Sequence, residues 1–431
     1  MNKYWKVALA LLMALTAFPN ACSASSEDLY GDNFTLNIFG NANRDDLIDD
    51  KDITYIEGIL NGANEQTDLA DANQDGKVDQ GDIDRINEII GGTESELYYV
   101  NVFGNTSKVK HPLKNIIIIY DNLAEIIRIL GAEDRVVGID TEQYQGAIGK
   151  YPRYFPEFQQ KPSIGTRNDC DAEIILKLNP DAVISGVRGG CPEVEAKLEG
   201  SDIDMVRLES WSEGVPSLMM LAYMLDEVDN AMKYREWQNG YLDMVRERVA
   251  SIPLDERPRV FIDRPGNTTY ARGSGVSEAL EAAGGINIAA DLTSPPRIDL
   301  GIASKNTMPP VDTEWVLEQN PDVIIGFSWD GGYEVDNISV LKTRYDEILG
   351  TPGFSEINAG KNNKIFVNYF INTNGPGYQI GVLYYAKWLY PDLFRDIDPQ
   401  RVHQEYIDKF QHVDYNLKEH GVFVYPPLNE S

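Results

Sequence analysis

At 431 residues, with 42% hydrophobic and 10% aromatic residues, the chain exceeds one ordinary domain and has apolar material for two or three. Its 68 acidic residues against 38 Lys and Arg leave a net charge of −30, which excludes nucleic acid as the main partner. Part of that charge is local: residues 41–82 hold 12 acids and 3 bases, a net of −9, and the remainder reads as solvated surface.

The chain begins with an export signal. Lys3 and Lys6 precede the apolar run Val7 to Leu15, and small residues follow around Ala21-Cys22-Ser23-Ala24, so residues 1–24 read as a signal peptide or lipoprotein signal. That run is short for a bilayer span, and no other stretch approaches about 20 apolar residues. The protein is therefore expected at a cell surface or in a periplasm-like space. Cys22 is the candidate for lipidation, although Pro19 stands three residues before it where Leu is usual; nearby cleavage and an uncleaved anchor are the alternatives. Only Cys170 and Cys191 remain, and outside the cytoplasm a thiol pair oxidises. They flank one helix-strand unit at the same edge, which predicts a structural disulfide.

Two loops with calcium-ligand spacing follow. Residues 41–52 place oxygen side chains at Asn41, Asn43, Asp45, Asp49 and Asp52, which are loop positions 1, 3, 5, 9 and 12. Residues 71–82 repeat the spacing with Asp71, Asn73, Asp75, Asp79 and Asp82. Calcium takes six to eight hard oxygen ligands, and such spacing wraps them around one ion. Gly76 occupies position 6, where the chain turns sharply; the first loop has Asp46 there and is expected to bind less tightly. An amphipathic helix follows each loop, from Ile53 to Leu60 and from Ile83 to Ile90. Over residues 34–92 the pair resembles a dockerin domain, whose loops end in Asp at position 12. The resemblance implies a small all-α module holding two Ca2+ ions and docking onto a cohesin-like module. Positions 10 and 11, Asp50-Lys51 and Gln80-Gly81, depart from the small hydroxyl residues frequent in dockerins. A purely structural calcium module is the alternative.

Residues 93–111 read as a linker. Beyond it, Asn115 to Tyr120 is a buried strand, Asp121-Asn122 opens a helix through Leu130 that Gly131 ends, and Val136 to Ile139 is a second strand, a parallel βαβ pattern. Glu173-Ile-Ile-Leu-Lys-Leu-Asn-Pro-Asp-Ala-Val-Ile then recurs 141 residues later as Glu314-Trp-Val-Leu-Glu-Gln-Asn-Pro-Asp-Val-Ile-Ile. Each copy reads as a short helix, a turn that stops it, and a buried strand. The second half repeats the order with a strand at Arg259 to Ile262 and a helix from Ser274 to Ala283, closed by Gly284-Gly285. Between the halves, Pro216 to Ala250 is apolar at helical spacing; one continuous helix there would run ~50 Å. The expected fold is α/β, with two lobes joined by one long spine helix and a ligand cleft between them.

The body resembles the class III periplasmic binding proteins, the solute-binding proteins of ABC importers for iron-siderophores, haem and cobalamin. The resemblance runs over 112–415 and includes Leu130-Gly131-Ala132-Glu133-Asp134-Arg135-Val136-Val137-Gly138, Pro162-Ser163-Ile164-Gly165, both Asn-Pro-Asp segments, and Gly381 to Phe394 with Lys387-Trp388-Leu389-Tyr390-Pro391. It implies an N-lobe at about 112–212, a spine helix at 213–250, a C-lobe at 257–415 and a tail at 416–431. It also implies that Glu173 and Glu314, one on each lobe, face arginines of a membrane permease that works with an ATPase subunit. A carboxylate in a first helical turn is also favoured by the helix dipole alone, by about 0.3–1 kcal/mol.

Loops after strand ends line the crevice of α/β lobes, which nominates Tyr120, Asn122, Arg188, Arg264, Tyr270, Trp329, Tyr369 and Asn372 as ligand contacts, with Tyr144 and Arg167 as neighbours. Arginine suits carboxylate or catecholate oxygens, and Tyr and Trp stack on a flat chelate. The four histidines, His111, His403, His412 and His420, lack zinc spacing, and neither a Gly-x-Ser-x-Gly elbow nor a phosphate-binding loop with Lys is present. The expectation is a non-enzyme: an exported solute-binding protein that captures a ferric chelate, haem or corrinoid. The alternative is a scaffold-attached binding or sensing protein that keeps the fold without transport.

Overall fold

A computed structural model describes residues 34–141, 148–186, 192–208, 215–299, 302–304, 306–369 and 375–428. The export signal, Cys22, Tyr144, Arg188, Cys191 and Asn372 lie outside the described residues.

Both acidic loops end by capping the helix that follows. Asp49 opens α1 (Asp50–Leu60) and Asp79 opens α2 (Gln80–Ile90), accepting from Lys51 N at 2.7 Å and Gly81 N at 2.8 Å. Asp52 and Asp82 at the third helical position reach back to the cap amides at 2.9 and 2.8 Å, completing two capping boxes with Asp where Glu or Gln is usual. Ile56, Ile86 and Ile89 bury the facing sides of the two helices.

The segment expected as a linker is a β-hairpin. Strand β1 (Ser95–Val100) pairs antiparallel with β2 (Thr106–His111), burying Leu97, Tyr99, Val109 and His111 on one side. It also fastens to the preceding module: Phe39 N donates to Tyr98 O and Val100 N to Asn37 O, both at 2.9 Å. The N-terminal unit is therefore not all-α. Lys108 and Lys110 point outward and the polar Ser107 stands among the inward positions, which obscures the period-two pattern in the sequence.

The first lobe is a parallel sheet ordered β4 (Val136–Ile139), β3 (Ile116–Ile118), β5 (Ala182–Gly186), β6 (Asp204–Leu208). The central β3 is three isoleucines with both faces covered, as a parallel sheet requires. Helix α3 (Asp121–Leu130) follows it and stops at Gly131, whose φ of 67° suits the left-handed cap.

The second lobe is ordered β11 (Val424–Tyr425), β10 (Ile365–Tyr369), β9 (Val323–Ser328), β7 (Arg259–Asp263), β8 (Ile286–Asn287). Only β11 runs antiparallel, pairing Val424 with Asn368. The residues after 415, expected as a tail, thus complete the second sheet.

The repeated segment folds alike in both lobes. Asp171 caps α4 (Ala172–Leu178), which α5 (Pro192–Leu198) follows, and Asp312 caps α9 (Thr313–Gln319), between α8 (Gly275–Ala282) and α10 (Ser339–Leu349) in the chain. Asn179 and Asn320 end these helices at φ of 47° and 46°, a left-handed conformation Asn tolerates, and the prolines that follow forbid another turn. The closing aspartates tie each unit to the neighbouring strand. Asp181 Oδ2 accepts Lys114 N and Asn115 N at 2.9 Å before β3, and Asp322 Oδ2 accepts Arg259 N at 3.0 Å in β7.

The spine differs from expectation. It is two helices, α6 (Val215–Leu225) and α7 (Val228–Val249), separated at Asp226, whose φ is 56°. Helix α6 is buried almost all round and belongs to the core, whereas α7, about 33 Å long, joins the lobes. Asn230 of α7 donates to Leu130 O at 3.1 Å in the first lobe. Gln238 donates to Gln379 Oε1 at 2.9 Å on α11 (Tyr378–Leu389) in the second.

The N-terminal module rests on this spine. Asp46 pairs at 2.6 Å with Arg235 of α7, and the Tyr223 hydroxyl of α6 accepts from Ile48 N at 2.7 Å and donates to Ile48 O at 3.2 Å. The Asp at loop position 6 is thus committed to the body. Replacing Tyr223 with Phe removes both hydrogen bonds, and urea denaturation is expected to show a loss of about 1–2 kcal/mol.

Candidate functional site

Parallel strands in both lobes direct their carboxyl ends to one side, and the nominated residues follow those ends. Tyr120, after β3, holds a φ of 98°, a strained value for a residue with a Cβ. Its amide donates to Asp140 Oδ1 at 3.3 Å, and the Arg167 guanidinium lies 5.2 Å from its ring centre. Asn122 meets the second lobe at Gly375, where an added Cβ would sit 3.0 Å from the Asn122 side chain. Tyr369, at the end of β10, is buried and hydrogen-bonds Tyr151 of the first lobe. The Tyr369 ring fills the space that Gly331 and Gly332 leave open, so those glycines receive a side chain: a Cβ at Gly332 would meet the ring at 2.6 Å. Gly332→Ala, at a φ of +93°, is expected to cost about 1–3 kcal/mol in thermal denaturation.

Arg264, Tyr270 and Trp329 form a second set on the other lobe. The Arg264 guanidinium lies 5.8 Å from the Tyr270 ring centre and 5.0 Å from that of Trp329, and it donates to Thr268 Oγ1 at 2.9 Å.

Where the two lobes meet lies a narrow crevice that the sequence did not announce. Asp121, Asn122, Glu125, Tyr151, Tyr154 and Phe155 wall it from the first lobe and Tyr333 from the second, and it is too narrow to admit a water molecule. Tyr154 stacks on Tyr333 at 3.5 Å between ring centres with planes 5° apart, so the lobes meet ring to ring. Beside the stack, Arg153 N and Tyr154 N donate to Glu334 Oε1 at 2.8 and 3.1 Å, and Arg153 pairs with Asp336 at 2.7 Å. Arg128 secures this segment from α3, holding both Glu157 oxygens at 2.7 Å and the Tyr154 carbonyl at 2.6 Å.

The crevice is electrostatically unusual. Burial pushes the Glu125 carboxyl up to about 8, with nearby Asp121 adding repulsion. Burial also raises Asp121 to about 6 and Asp140, beneath Tyr120, to about 7. The missed signal was a carboxylate set within the apolar run Leu123 to Leu130.

Glu173 and Glu314 are exposed in the first turns of α4 and α9. These helices run back against the strands that follow them, so both glutamates stand on the side of the strand carboxyl ends. Cys170, just before α4, is disulfide-bonded.

The two acidic loops share one hydrogen-bond plan. Asn43 N donates to Asp52 Oδ1 at 3.1 Å, and Asn73 N to Asp82 Oδ1 at 3.2 Å. Arg44 and Gln74, both at position 4, have φ of 62° and 58°. Among the described residues no three His, Cys, Asp or Glu side chains gather as a metal cluster. The loop carboxylates instead accept loop amides: Asp71 takes Asp75 N at 3.2 Å and Gly76 N at 2.9 Å, and Asp75 takes Lys77 N at 3.0 Å. Each carboxylate keeps further lone pairs for a cation. Two observations fit one: Asn41 Oδ1 is buried without a partner, and the Asp52 and Asp82 carboxylates are buried.

Residues 116–368, more than half of the chain, match the family model described as periplasmic binding protein. The molybdate-binding protein MolA of Haemophilus influenzae is 25% identical over 319 residues, covering 66% of this chain and 82% of that protein. The vitamin B12-binding protein of Vibrio cholerae is 25% identical over 222 residues, covering 49% and 70%. A TroA-like periplasmic binding protein, FepB from Veillonella parvula, superposes with a TM-score of 0.59 at 20% identity, covering 76% of this chain and 98% of that one. Among the described residues no helix is long and apolar enough to cross a membrane.

Proposed function

The chain belongs to the periplasmic binding protein family, the solute-binding proteins of ABC transporters, and on that premise we propose that it captures a metal chelate in its cleft and delivers it to a membrane permease. Ferric siderophores, haem and corrinoids are the candidate solutes. Tyr120, Asn122, Arg167, Arg264, Tyr270, Trp329 and Tyr369, with Tyr144, Arg188 and Asn372, are the proposed contacts. Aromatic faces beside guanidinium groups suit a flat chelate with polar edges.

The observation that carries delivery is the equivalence of Glu173 and Glu314: same helical turn, same cap, same side as the cleft, one per lobe. Two such carboxylates match a symmetric pair of permease subunits bearing arginines. The double variant Glu173→Lys with Glu314→Lys, at exposed sites, is expected to abolish permease binding and uptake while solute affinity stays unchanged. Uptake at the wild-type rate would refute delivery and favour a binding or sensing role without transport.

We further read residues 34–92 as a dockerin-like module in which Asn41, Asn43, Asp45, Asp49 and Asp52 hold one calcium ion and Asp71, Asn73, Asp75, Asp79 and Asp82 a second. A cohesin-like module is the proposed partner. Calorimetric titration of the chelator-stripped chain with Ca2+ is expected to show two sites, the loop with Gly76 tighter. Absence of binding heat and of any Ca2+-dependent shift in melting temperature would remove this claim.

A further inference from the structure

The two acidic loops agree at position 4, left-handed in both, and in the bond from the position-3 amide to the position-12 carboxylate. At position 6 they part. Gly76 turns with a φ of +89°, and its amide donates at 2.9 Å to Asp71 Oδ2, the side chain at position 1. Asp46 keeps a negative φ, and the oxygen at position 1 of its own loop, Asn41 Oδ1, is buried without a partner. Asn41 Nδ2 donates to Leu36 O at 2.8 Å and to Asp45 O at 2.6 Å, which fixes the amide's orientation and leaves the oxygen as the unmet group.

The surroundings of position 6 differ in the same way. Among the described residues, no atom beyond the chain neighbours lies within 4 Å of where a Cβ on Gly76 would stand. Asp46 instead reaches Arg235 of α7 at 2.6 Å, and the Tyr223 hydroxyl of α6 holds both backbone groups of Ile48 at position 8. Leu47, at position 7, is therefore pinned on either side by the spine. The carbonyl at that position is the backbone ligand of a calcium loop, and the sharp turn at position 6 leads into it. Docking and the calcium turn make different demands on the same residues, Asp46 to Ile48. The contact is also open to solvent on one side. A groove of about 520 Å³ runs beside the Asp46–Arg235 pair, lined further by Asp229, Lys233 and Glu236. Asp is among the few residues with a Cβ that enter the left-handed region. Turning Asp46 there would redirect its carboxylate away from Arg235 and bring its amide toward Asn41 Oδ1, the bond that the second loop already makes.

Resting on the calcium reading of residues 34–92, we infer that the first loop serves either the spine, through the Asp46–Arg235 pair, or a calcium ion, which turns position 6 and breaks that pair. Calcium thereby loosens the module on the helix that joins the lobes, and by the same coupling the spine weakens the first site. The second loop, whose turn is free of the body, binds calcium without that penalty.

The full chain, stripped with chelator, is titrated with Ca2+ by calorimetry. Arg235→Met removes the competitor and is expected to tighten the first site about 10-fold while leaving the second unchanged. Lys233→Met removes an exposed cation from the same groove, and as the control for charge alone it is expected to move the first site by about 2-fold or less. An unchanged first site in Arg235→Met, or an equal gain in Lys233→Met, overturns the inference. Where Arg235→Met fails to fold, Tyr223→Phe, which frees position 8, decides: a tighter first site supports the inference and an unchanged one overturns it. Binding at the second site alone in every variant also overturns it while leaving a one-ion calcium module. Absence of both binding heat and a Ca2+-dependent shift in melting temperature overturns the calcium reading and the inference together.

Discussion

Asp46→Ala is expected to lower the unfolding free energy by about 1.5–3 kcal/mol, because it removes a 2.6 Å charged hydrogen bond to Arg235, whose side chain is only 5% exposed. The Phe34 ring at 5.6 Å and the Met232 sulfur at 3.8 Å also approach the Arg235 guanidinium. Urea denaturation monitored by tryptophan fluorescence reads the loss. The exposed pair Arg395–Asp392, with 76% and 90% of its side chains in water, is the control, and its removal is expected to change stability by less than about 1 kcal/mol. Equal effects at the two pairs would mean that the module does not bear on the spine. Asp46→Gly sharpens the test. It restores the residue a calcium loop prefers at the sharp turn, so Ca2+ is expected to bind the first loop more tightly even as the module loosens from α7.

That trade-off was half visible in the sequence. Asp46 stood out as a departure from the loop pattern, but its partner lies 189 positions away, and nothing local marks Arg235 as the residue it meets. The same division runs through the fold. Helix ends were legible wherever a local signal set them: Gly131 after α3, Asn-Pro-Asp after α4 and α9, the caps Asp171 and Asp312. The break at Asp226 was not, because apolar spacing continues across it and the left-handed turn is imposed by tertiary bonds, among them Leu113 N to Met224 O at 2.8 Å and the Arg135–Glu227 pair at 2.6 Å. At the lobe seam, the rule that loops follow strand ends nominated Tyr120, Asn122 and Tyr369. It passed over Glu125 and Tyr333, whose importance comes from two lobes meeting rather than from any spacing within one.

Glu125→Gln is expected to stabilise the chain at alkaline pH, and the sign follows from burial. The folded carboxyl titrates at about 8, far above the ~4.3 of an unfolded glutamate. Its stabilising contribution is therefore complete below the unfolded value and lost as pH rises through about 8. His403 works in the opposite sense: burial lowers it to about 3, so its contribution is present above about 6.5 and lost as pH falls toward 3. Wild-type stability should decline on both sides. Glutamine cannot ionise, so the variant should gain on the order of 3 kcal/mol over wild type at pH 9 and match it near pH 4. Parallel pH profiles for the two proteins would show that Glu125 is not the titrating group.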